Sequence, residues 1–250
     1  MDGLEPSALT PRKVAFVFVL AGAAIAAACG RQVTPNPPGL GPGGAPPGYF
    51  AVIFNTAAAF NFSNYQYLVV LNTTGDGRTP STDTIQTNWD GYSYAIVALG
   101  NGISSFAKPI QYVRSNQNPH VPPRPLQLGT TPQQFSYNLN ANGTGTEFSI
   151  LAQKRVFTAT PGPSPTPTSN VWTFNAFVAQ PNTQGQWSFY DSMGAGGPID
   201  PQWVNTPPLN MLTCFDQTYY ALDLSIGDPS AEIISVEIAN NPIASPCPSQ

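Results

Sequence analysis

Twenty-eight prolines and 22 glycines are spread through the 250 residues of this chain, and they cut it into runs too short for a long helix. Proline removes a backbone donor and clashes with the preceding helical turn, while glycine eases tight reversals. The runs between them are rich in aromatic and β-branched residues, and none carries a long capped stretch at helical spacing. Strands are therefore expected near 49–54, 65–72, 92–99, 110–114, 133–139, 147–153, 171–179, 186–190, 219–225 and 233–238. Within 171–179, Trp172, Phe174, Ala176 and Val178 share one face with Thr173 and Asn175 opposite, the two-residue period of a half-buried strand. The run YSYAIVAL at 92–99 loses that alternation in its second half, as a central strand covered on both sides should.

Ten or so short strands with turn-rich connections predict an all-β fold, a two-sheet antiparallel β-sandwich, with a barrel-like closure as the competing arrangement. The domain is expected to occupy 49–250, long enough to bury one sizeable core. TPGPSPTPT at 160–168 and NPHVPPRP at 118–125 are expected to be surface loops, because prolines cannot donate to a sheet ladder.

The first thirty residues divide differently. Arg12 and Lys13 precede an apolar run at 14–25, then Ala26-Ala27-Ala28 and Cys29, the layout of an export signal with a basic start and a small-residue cleavage site. This segment resembles the signal of bacterial lipoproteins, although Ala26 stands where that family usually has Leu. The resemblance implies cleavage before Cys29 and acylation of its thiol, so that a lipid on Cys29 makes the membrane a partner and places the protein in the cell envelope. Ala26-Ala27-Ala28 also suits ordinary secretion with cleavage at the same bond. An uncleaved anchor would need roughly 20 apolar residues, more than 14–28 supplies. With Cys29 lipidated, an exported chain of three cysteines is accounted for if Cys214 and Cys247 pair as a disulfide.

Pro and Gly make up more than half of RQVTPNPPGLGPGGAPPG at 31–48, a composition that cannot bury a core and reads as a tether. In a polyproline-like conformation of about 3.1 Å per residue it would reach some 50 Å.

Charged residues are 9% of the chain, far below the roughly 25% of ordinary soluble domains. Two basic and two acidic residues lie in 1–28, leaving seven basic and eleven acidic beyond it. Such a balance has no basic stripe to neutralise phosphates, which argues against nucleic acid. A surface of amides and hydroxyls is compatible with envelope proteins or glycans as partners, and equally with a lineage-wide composition bias.

Catalytic sets are sparse. His120, the one histidine, lies among prolines, Ser104-Ser105 lacks a nucleophile-elbow context, and Gly194-Ala195-Gly196-Gly197 lacks the lysine and helix of a phosphate loop. One histidine and two paired cysteines do not make a zinc set. The chain is thus expected to be non-catalytic and to need no cofactor. Two groupings remain. NTTGDGRTPSTDTIQTNWD at 72–90 gathers Asp76, Asp83 and Asp90, oxygen ligands that suit calcium, although Gly75-Asp76-Gly77 is equally turn chemistry. In WSFYDSMGAGGPIDPQW at 187–203, Trp187, Tyr190 and Trp203 flank Asp191 and Asp200. Rings beside carboxylates suit a sugar, and two facing carboxyls could act on a glycosidic bond, whereas aromatics in all-β proteins also fill cores. Trp89, beside Asp90, is a further aromatic for such a surface.

Overall fold

The computed structural model describes residues 45–73, 93–100, 105–113, 124–139, 145–158, 169–181, 187–194, 209–221, 227–245 and 247–248. All lie within 35–250, the larger of two units into which the chain divides. The described elements are β1 (Tyr49–Thr56), β2 (Gln66–Asn72), β3 (Tyr94–Gly100), β4 (Ser105–Val113), β5 (Arg124–Gln127), β6 (Phe135–Asn138), β7 (Glu147–Gln153), a 3-10 turn (Lys154–Phe157), β8 (Val171–Pro181), β9 (Trp187–Ser192), β10 (Leu209–Asn210), β11 (Phe215–Tyr220) and β12 (Ile233–Asn241). They form two antiparallel sheets packed as a β-sandwich. One sheet has the order β11-β12-β1-β7-β6; the other runs β10-β8-β2-β3-β4-β5, with β9 also pairing β8.

The inner faces follow the period of two. Phe50, Val52 and Phe54 of β1, Phe148 and Ile150 of β7, and Val236 and Ile238 of β12 meet Tyr67, Val69, Leu71, Ile96, Phe174 and Val178 of the other sheet in one buried cluster. Rings lock the sheets together: Phe50 meets Trp172 edge-on at 5.8 Å and Phe174 meets Tyr219 at 5.2 Å, while within the five-stranded sheet Phe54 stacks on its cross-strand neighbour Phe148 at 4.9 Å. Fully burying one such side chain contributes about 1.5–3 kcal/mol, so this cluster dominates stability.

β3 is central, as its unbroken apolar run foretold: Tyr94, Ile96 and Ala98 face the inner cluster, while Ala95 and Val97 face a second one with Leu68, Val70, Phe177 and Ala179. That second cluster corrects the expectation for β8. Asn175 and Phe177 are as buried as Trp172 and Phe174, so β8 is covered on both faces rather than half-exposed. Three further differences concern strand limits. β4 begins at Ser105, through Lys108 and Pro109; Pro109 still accepts from the Leu128 amide at 3.0 Å although it cannot donate. Arg124 and Pro125, expected in a loop, belong to β5 and pair Val113 and Tyr112, a place at the sheet edge where a missing donor is tolerated. β11 begins earlier than expected and spans Phe215–Tyr220; residues 222–225 of the expected strand lie outside the described residues.

Candidate functional site at the β8–β9 bulge

β9 carries the grouping that the sequence singles out, and its register decides what each member does. Phe189 pairs Ala179 and Asp191 pairs Val178, so Tyr190 is an extra residue opposite no partner. A bulge of this kind re-aims the side chains around it. Asp191 comes onto the inward side with Val178 and is 1% exposed, while Tyr190 is 37% exposed.

Buried, the Asp191 carboxylate needs partners. Oδ1 accepts from the Ser192 amide at 2.8 Å, and Oδ2 accepts from the Ile233 amide at 2.6 Å. The second bond joins β9 of one sheet to β12 of the other.

Tyr190 rests edge-on against Tyr65 at 5.1 Å and donates to Gln180 Oε1 at 2.9 Å. Tyr65 in turn donates to Asp228 Oδ2 at 2.7 Å, and Asp228 Oδ1 accepts from the Ser230 amide at 3.0 Å and its hydroxyl at 2.8 Å. The Tyr65 hydrogen bond, followed by those from Ser230, holds the Asp228 carboxyl below its ordinary range. Burial, then the bond to Asp228, pushes the Tyr65 phenol up to about 12. Beneath them Tyr67, fully buried and with its phenol pushed up chiefly by burial, accepts from the Asn61 amide and donates to the Ser230 carbonyl, both at 2.9 Å. The result is a partly exposed aromatic edge, Tyr190 with Gln180, backed by a carboxylate held ionised.

Asp228, Tyr65 and Gln180 had no sequence signature. Asp228 and Tyr65 are 163 positions apart and meet only because the sheets pack. Trp187 lies on β9 opposite Pro181. Asp200, Trp203, Trp89, His120, Cys29 and the calcium candidates Asp76, Asp83 and Asp90 lie outside the described residues. Among the described residues, no group of three or more His, Cys, Asp or Glu could hold a metal ion, and no helix is long and apolar enough to cross a membrane.

At the opposite reach of β12, Cys214 and Cys247, expected to pair, are present as thiols, the first exposed and the second half-buried. Lys154 Nζ donates nearby to the carbonyls of Met211 at 3.0 Å and Asn241 at 3.1 Å. Burial brings its ammonium down to about 8.

Compared with protein-family models, with curated proteins and with solved structures, the chain matches none.

Proposed function

We propose that this chain is a lipid-anchored, extracytoplasmic β-sandwich protein with a non-catalytic structural or binding role in the cell envelope. The anchor reading rests on Arg12-Lys13, the apolar run and Ala26-Ala27-Ala28-Cys29. The non-catalytic reading is carried by Asp191. A carboxylate that works as acid, base or nucleophile must reach substrate, and here both oxygens are engaged by backbone amides of the two sheets. Cell fractionation tests this role: the wild-type chain partitions with membranes until detergent is added, and Cys29→Ser leaves that fraction. Release of reducing sugar from polysaccharides by the purified chain would contradict it.

One observation favours a second reading, a glycan-binding surface. The bulge presents Tyr190 to solvent beside Gln180, and rings with adjacent amides suit sugar faces and hydroxyls. Saturation-transfer contacts between soluble wall oligosaccharides and the wild-type chain, lost in Tyr190→Ala, are the signature of that surface.

A further inference from the structure

Asn241, at the end of β12, is the hub of a junction between the two ends of the domain. Its Nδ2 donates to the Ala45 carbonyl at 2.9 Å, its own carbonyl accepts from the Gly48 amide at 2.8 Å and from Lys154 Nζ at 3.1 Å, and its Oδ1 accepts from the Cys247 amide at 3.0 Å. Residues 45–48, the last of the Pro/Gly stretch, are therefore held by the chain's final segment. Gly48 fits this close approach: its φ is +82°, and a Cβ there would come 2.7 Å from Ile243 Cγ1. Phe215 pairs Asn240, so the residue before it, Cys214, reaches the same end of β12 from the other side. The Cys247 thiol donates to the Asn240 carbonyl and the Cys214 thiol to the Ser245 carbonyl, each at 3.5 Å.

We propose that Cys214 and Cys247 close into a disulfide that staples Cys247 and the turn after Asn241 over the point where residues 45–48 enter the sandwich. The two thiols lose two protons and two electrons to an external disulfide, of the protein or glutathione type. Exposed Cys214, as thiolate, attacks that disulfide and expels one thiolate; Cys247 then gives its proton to solvent, and its sulfur attacks Cys214 Sγ and expels the second. Burial above all pushes the Cys247 thiol up to about 11, which lowers its thiolate fraction and slows the second attack. A pull on the anchored end would reach β1 through residues 45–48, and the staple would fix the segment that grips them. The cross-link relies on the export reading only for an oxidising compartment; its geometry is independent of it.

The test incubates the purified full-length chain with oxidised glutathione and maps its peptides without reduction. The expected result is a single intramolecular link between Cys214 and Cys247, with Tm about 10 °C above that of the reduced chain and slower proteolysis around residues 45–48. Failure to form the link, or a link that leaves Tm and proteolysis unchanged, overturns the staple. A link that forms readily in vitro, while chain recovered from cells carries free thiols at both positions, supports the staple geometry and contradicts export instead.

Discussion

The Asp191 carboxylate and the Ile233 amide meet at 2.6 Å, tying β9 of one sheet to β12 of the other inside the sandwich. Removing that acceptor strands two amides, each costing about 1–3 kcal/mol when buried without a partner. Asp191→Ala should therefore lose about 2–5 kcal/mol in urea unfolding, with Asp191→Asn, which keeps one acceptor oxygen, losing less. An Ala variant as stable as the parent would contradict the cross-sheet role.

Tyr67 and Tyr190 offer a paired comparison. Tyr67→Phe takes a hydroxyl from the buried Asn61 amide and Ser230 carbonyl, for an expected loss of about 1–3 kcal/mol. Tyr190→Phe gives up only an exposed bond to Gln180 and should change stability by less than about 0.5 kcal/mol. Denaturant midpoints of the two variants give the contrast directly.

Acid titration separates two carboxyls of opposite sign. Asp228 has a folded pKa below its unfolded value, so its contribution is present above the unfolded carboxylate range and is lost as pH falls through the folded value. Tyr65→Phe removes the largest cause of that depression and should make stability fall less on acidification. Glu237, on the outer face of the five-stranded sheet, is raised by burial and then by its hydrogen bond with Asp216. Its contribution is full below the unfolded value and is lost as pH rises through the raised one, so Glu237→Gln should gain stability at neutral pH relative to acid. Unfolding free energies measured across the carboxylate range check both signs.

Two glycines fix close approaches. A Cβ at Gly100 would lie 2.8 Å from Phe62 Cβ and 3.0 Å from the Phe62 carbonyl oxygen; because backbone cannot swing aside, Gly100→Ala should cost about 1–3 kcal/mol. Gly48→Ala meets a positive φ and Ile243 together, and the left-handed conformation alone costs roughly 1–2 kcal/mol. Thermal unfolding of each variant measures these losses.

How much of this could be read in the chain depends on how local the signal is. β7 and β12 show their inward faces in part by alternation, Phe148 and Ile150 about Ser149 and Val236 and Ile238 about Glu237, whereas β1, β2 and β3 carry unbroken apolar runs, those of β2 and β3 buried on both sides. β8 misleads because Thr173 and Asn175 look like a solvent face, whereas Phe177 and Ala179 continue that face into the second cluster. Pro109 and Pro125 hide the first half of β4 and all of β5, since the tolerance of a sheet for a missing donor depends on position within it. Register hides the site. Nothing in SFYDS marks Tyr190 as the extra residue, yet that one step turns Asp191 inward and Tyr190 out. Cys214 and Cys247 stand close for a similarly non-local reason, the pairing of β11 with β12 and the return of the chain past Asn241.

The central claim is attachment through Cys29, and intact-mass and peptide analysis of the mature chain from the membrane fraction tests it most directly. The account predicts an N-terminus at Cys29 bearing acyl chains, with residues 1–28 absent. A full-length chain in the cytosol with Met1 in place and an unmodified Cys29 would contradict it.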